Sequence, residues 1–347
     1  MALLTLTQQQ IKDDPEQQIR NFKRTKDFLV AIDTDGCVTN NMNGKQMVIF
    51  HPHYMGFYDL WEIESYFREI AEYYNLFSIH RGCNRFLAVQ YTLNSLYERA
   101  DVRKIVREKN IPLPGKEMLD DYIEFCVEYN WGLGNPSLEK FIELHSLNFE
   151  LYKLLGWSEA VNRTFPFINP KIPPFSNVKN SLTAMNEYAD VVVVSQTPYN
   201  DLVSYWETQK LSQYISIIVS QEMGTKLHHI EVIKNVCDYD DENILMLGDG
   251  DSDLKAVQKS NGLFYPILPG FEEDSWNKFS EYFKIFIEGG YKGEIQEKLL
   301  TNFSKVFLKK PKWEEPEYDH ITAYKEKQEI RKSLYEKLNP NGRLLIL

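Results

Sequence analysis

Apolar positions in this chain fall into two patterns. In the second half they form short β-branched runs: "VVVVS" at 191–195, "ISIIVS" at 215–220, "ILMLGD" at 244–249 and "LFYPIL" at 263–268. Each is too short for an ordinary helix, and helix-like segments lie between them near 200–212, 226–237 and 252–260. Strand and helix thus alternate, which predicts a parallel α/β sheet. Near-continuous apolar strands suit a sheet covered on both faces. The run "FLVAID" at 28–33 has the same character far upstream and is expected to be the first strand. The second pattern occupies about 57–163 and has helical spacing. In it Phe86, Val89, Leu93, Leu96 and Ala100 are separated by polar residues that include Glu and Arg.

The joints between the two patterns are also marked. Asn43 and Gly44 in "TNNMNGKQMVIF" suit a tight turn, so a small hairpin flap is expected there. The helical insert closes with "FPFINPKIPPF", where Pro166, Pro170, Pro173 and Pro174 remove backbone donors and predict a hinge back to the sheet. Beyond about 291 the chain is rich in Lys and Glu, and "YKEKQEIRKSLYEKL" predicts an exposed helix before a tail ending "GRLLIL".

Length and charge narrow the function. A chain of 347 residues implies two domains, or one with a large insertion. No apolar run is long enough to cross a bilayer, and the N-terminus has no signal-like segment, so a cytoplasmic protein is expected. A formal charge of −11 disfavours nucleic acid as a partner, because such binding draws on phosphate neutralisation by Lys and Arg. The four cysteines, Cys37, Cys83, Cys126 and Cys237, form no C-x-x-C pair and read as small buried hydrophobes.

The chemistry begins where the first strand ends. Residues two apart in an extended strand point to the same side, so Asp33 and Asp35 of "DTDG" are expected to share one site. The carboxyl ends of strands are where open α/β sheets bind ligands. Close carboxylates repel, which makes a divalent cation their natural partner. A second acidic cluster, Asp249, Asp251 and Asp253 in "LMLGDGDSDL", follows another strand. Taken singly, each cluster is an ordinary acidic turn or helix cap. Together with Ser195 at a strand end and Lys226 before a helix, they form four polar positions in fixed order at or just beyond the ends of parallel strands.

In that order the sequence resembles the haloacid dehalogenase superfamily, over about 28–40 and 178–268. The resemblance implies a Rossmann-like parallel sheet core, with a large α-helical cap of type one inserted after the first strand and flap. Its expected parts are 1–50 with 170–290 as catalytic core, 51–169 as cap and 291–347 as a charged C-terminal extension. It implies a magnesium-dependent phosphatase acting on a small phosphorylated metabolite. Asp33 would be the nucleophile, Asp35 the acid and base, and Lys226 a stabiliser of negative charge. Ser195 and the backbone near Gly36 and Gln196 would hold the phosphoryl group. Asp33, the Asp35 carbonyl and Asp249 would hold magnesium, supported by Asp253. Asp35 is absent from the dehalogenase branch, and an ion-pumping relative would need membrane spans. Two departures leave the reacting groups intact: Leu227 follows Lys226 where proline is frequent, and Thr34 stands where an apolar residue is common.

Arg81, Asn84 and Arg85 in "IHRGCNRF" are candidate readers of the leaving group, against the plainer alternative of surface residues at a helix start. His51 and His53 would share a face if they lay on a strand, which is a metal-binding pattern; structural contacts are the ordinary alternative. The adjacent His228 and His229 do not have zinc-protease spacing. Two other functions fit the same residues: a phosphotransferase or mutase, and a noncatalytic scaffold whose C-terminal segment docks a partner or a second copy.

Overall fold

The computed structural model describes residues 3–129, 131–145 and 148–339, and the ending "GRLLIL" lies outside them. The chain divides into two compact units, each built from two stretches. Met1–Asn41 and Asn169–Phe307 form the first, and Met42–Ile168 and Leu308–Leu347 the second.

The first unit is a five-stranded, all-parallel sheet: β1 Phe28–Ile32, β2 Ala189–Val194, β3 Ile217–Val219, β4 Ile244–Gly248 and β5 Leu263–Pro266. The order is β3-β2-β1-β4-β5. Every residue of β2 and β4 is buried, as expected of apolar runs covered on both faces. Helices Tyr199–Thr208, Lys226–Cys237 and Asp251–Lys259 occupy the intervals where helical segments were expected. β1 is central. It pairs with β2 on one side and β4 on the other, and the chain crosses from β3 past β1 to reach β4, so the carboxyl end of β1 is the switch point at which such sheets bind ligands. Pairing continues past the strand ends, with the Asp33 N–H donating to Leu247 O (3.0 Å) and the Ser195 N–H to Val219 O (3.0 Å). The first unit also takes in the helix Glu294–Val306, whose buried Phe303 meets Phe264 of β5 with ring centroids 5.4 Å apart.

The second unit is helical. Phe86, Val89, Leu93 and Leu96 are buried along the helix Arg85–Glu98, while Ala100 is exposed and opens the next helix, Ala100–Lys109. Aromatic side chains form much of its interior: Tyr54 stacks on Phe67 at 5.3 Å and meets Trp157 edge-on at 5.3 Å.

Four expectations are corrected. No hairpin stands at 42–50: helical Met42–Gly44 runs through a π-helical stretch, Lys45–Phe50, into the helix His51–Tyr58. Residues 46–50 are buried in succession rather than alternately, which a helix packed on several sides allows. Gly44 is helical, and a Cβ on it would lie 2.7 Å from Leu338 Cδ1. The glycine therefore admits a close neighbour and makes no turn. His51 and His53 are buried on this helix, not on a strand, and His53 Nε2 meets Thr164 Oγ1 at 2.9 Å. Pro166 lies inside the helix Phe149–Ile168, so the α-helix ends only after it, passing into a 3-10 turn at Asn169–Lys171. The helix His320–Leu338 buries Arg331 and Leu338 and is only partly exposed.

Candidate active site

Asp33 follows the last residue of β1, and the chain then turns sharply. The Val38 and Thr39 N–H groups both donate to Thr34 O (2.9 and 3.0 Å), and the Gly36 N–H to Thr39 O (3.0 Å). Gly36 has φ 74°, a left-handed conformation that favours glycine. Asp249 follows β4, and Asp253 lies one helical turn on, in the first turn of Asp251–Lys259, where its Oδ2 accepts the Gly250 N–H at 3.1 Å. A Cβ on Gly248 would collide with the Asp253 side chain, so glycine at this strand end lets the second acid close in. Lys226 opens its helix, which Thr225 caps by accepting the His228 N–H at 3.2 Å.

These elements bring four side chains together. Asp33, Asp249 and Asp253 each offer a carboxylate oxygen within 4.8 Å of the others. Lys226 Nζ lies 2.8 Å from Asp33 Oδ2 and 2.5 Å from Asp253 Oδ1. All four are buried, so their charges interact with little screening. Burial disfavours the Lys226 ammonium, but Asp253 and Asp33 outweigh it and hold its pKa above the ordinary value. Burial raises Asp253 to about 7 despite Lys226, with Asp33 and Asp249 adding to the rise. The thiol of buried Cys37 is also raised, by burial first and then by Asp33, Asp249 and Asp253. Three carboxylates against one ammonium leave an excess of negative charge, and a hard divalent cation held by oxygen fits that donor set.

The remaining expected site residues are placed as follows. Asp35 is buried: Asn41 Nδ2 donates to its Oδ1 (2.5 Å) and Thr197 Oγ1 to its Oδ2 (2.9 Å). Ser195 is buried at the end of β2, with its Oγ 3.4 Å from the Thr197 N–H. Gln196 is exposed and donates to Gly224 O at 3.0 Å. Arg81, Asn84 and Arg85 belong to the second unit. There Arg81 donates to Leu76 O (3.3 Å), and Asn84 caps its helix by accepting the Phe86 N–H (2.9 Å). Arg85 donates to Ser158 Oγ (3.0 Å) and Asn162 Oδ1 (2.8 Å). Thr197 and Asn41 did not emerge from the sequence. Thr197 carried a faint signal, standing two residues beyond Ser195.

No family model and no curated protein matches the chain. Among solved structures it is similar to a haloacid dehalogenase-like family hydrolase from Xanthomonas campestris, at 13% identity over 78% of this chain and 98% of that one, with a TM-score of 0.39. It is also similar to β-phosphoglucomutase from Clostridium difficile, at 11% identity over 75% and 96% of the two chains, with a TM-score of 0.41. A third is a subfamily IA hydrolase of the same superfamily from Geobacter sulfurreducens, at 10% identity over 70% and 88%, with a TM-score of 0.36.

Proposed function

We propose that this protein is a magnesium-dependent phosphohydrolase that cleaves a small phosphorylated metabolite through an aspartyl-phosphate on Asp33. The observation that carries this reading is the buried meeting of Asp33 with Lys226, Asp249 and Asp253 at the end of the central strand. Phosphate monoesters hydrolyse extremely slowly unaided, and enzymes supply up to roughly 10²¹-fold acceleration. A preorganised, charged and water-poor site is the means of supplying it.

In the first displacement an Asp33 carboxylate oxygen bonds to phosphorus. The bond from phosphorus to the ester oxygen breaks, its electron pair stays on that oxygen, and Asp35 supplies the proton. In the second, water attacks phosphorus while Asp35 takes a proton from it, and the bond to Asp33 breaks. Lys226 stabilises negative charge on Asp33 and on the transferring group, and Ser195 with the backbone at Gly36 and Gln196 holds phosphoryl oxygens. Asp33, the Asp35 carbonyl and Asp249 would hold magnesium, with Asp253 in support. The ion supplies neutralisation of charge between nucleophile and phosphate.

The test is phosphate release from a panel of phosphorylated sugars, nucleotides and small acids, with and without Mg²⁺. The native chain should act on at least one of them only with the ion, and Asp33→Asn should lose activity by about 10³-fold or more, as expected when a nucleophile is removed. Full activity of Asp33→Asn would rule out the aspartyl-phosphate route.

A further inference from the structure

Asp35 needs an orientation as well as a proton, because a general acid works only within hydrogen-bond reach of the atom it serves. We infer that Thr197 and Asn41 are positioning residues that fix the Asp35 carboxylate for proton transfer, an inference that rests on the phosphohydrolase reading above. The two donors take one oxygen each, Thr197 Oγ1 at Oδ2 (2.9 Å) and Asn41 Nδ2 at Oδ1 (2.5 Å), which sets the plane of the group.

Both donors are themselves held. Thr197 stands between the end of β2 and the helix Tyr199–Thr208, next to Pro198 at the N-cap position, and its N–H donates to Ser195 Oγ at 3.4 Å. Asn41 also donates to Asn169 Oδ1 at 2.9 Å. Asn41 and Asn169 are the residues at which the chain leaves the first unit and returns to it. Between the two acids, Thr34 Oγ1 accepts the Trp206 Nε1–H at 3.1 Å, which fixes the turn on which Asp35 is mounted. All of Asp35, Thr197, Asn41, Asn169 and Thr34 are buried, so water does not compete for these bonds.

A group that positions the acid matters in proportion to how much the leaving oxygen needs a proton. p-Nitrophenolate departs without one; a simple alkoxide does not. The experiment is rapid-quench measurement of the first turnover, with Mg²⁺, on p-nitrophenyl phosphate and on an alkyl phosphate. Thr197→Val removes the donor at nearly constant volume, and Thr197→Ser keeps it.

The valine variant should lose about 10- to 100-fold in the burst rate on the alkyl ester, part of the usual range for general acid catalysis. It should stay within about threefold of the native rate on the aryl ester, and Thr197→Ser should restore the alkyl rate. Asn41→Ala tests the second donor separately and should show the same selectivity should the valine variant not fold. Equal losses on both esters, or none on the alkyl ester, would overturn the positioning role. Full activity of Asp33→Asn on either ester would instead remove the aspartyl-phosphate reading and this inference with it.

Discussion

His51 shows how much one side chain can bias the response to acid. It is buried in the second unit, and neither ring nitrogen has a hydrogen-bond partner among the described residues. Burial first, then Arg68 and Arg331, drive its pKa well below the ordinary value, so the folded chain keeps the ring neutral. The unfolded chain takes up the proton near pH 6.5. Stability from this residue is therefore complete above about pH 6.5 and is lost as pH falls below it, by up to about 1.4 kcal/mol per pH unit. Urea midpoints at pH 7.5 and 5.5 should fall further in the native chain than in His51→Leu; equal falls would show that the ring bears no such proton linkage. At this scale the sequence displayed the charged members of the site, since Asp33, Lys226, Asp249 and Asp253 stand at or near strand ends. It did not display Thr197 or Asn41, because a hydroxyl or amide becomes informative only once folding places it against a carboxylate.

Among the elements, β1 to β5 were legible because a strand buried on both faces has to be a short, unbroken apolar run. The segment 42–50 was not: Asn43-Gly44 is the usual mark of a turn, and only the position of Leu338 shows why glycine is needed there. The helix His320–Leu338 was recognisable as a helix, but its buried positions, Arg331 and Leu338, were not, since its contacts depend on residues more than 200 positions upstream. Arg331 lies 2.7 Å from Glu72 Oε1 through both Nε and Nη2, and Tyr318 and His320 engage Glu69. Arg331→Ala would strand the buried Glu72 carboxylate and should cost about 3–5 kcal/mol in urea denaturation, the usual result of breaking a buried pair. Replacing both partners, as in Glu72→Leu with Arg331→Met, should recover a substantial part of that loss. No recovery would mean that the ion pair is not the source of the effect.

For the molecule as a whole, the division into two units cuts across chain order. The insert alone does not make the second unit, which also includes the stretch from Leu308 onward. A chain ending at Phe307 should therefore keep a protease-resistant sheet unit, while cleavage sites open between 42 and 168. An unchanged digestion pattern would show that the insert holds its fold without the final stretch. No helix among the described residues is long and apolar enough to cross a membrane. The sheet order and the two-part units were only partly legible, because pairing partners far apart in sequence leave no local trace.

The central place of β1 also sets a timetable for synthesis. Its neighbours are β2, beginning at Ala189, and β4, beginning at Ile244. At about 5–20 residues per second, a ribosome needs on the order of ten seconds or more to deliver the first of them. Until then the nascent FLVAI segment has neither edge covered and must be shielded from stray pairing by chaperones or by transient contacts. Asp33 is thus translated well before its charged neighbours, since Lys226 lies 193 residues and Asp253 220 residues downstream.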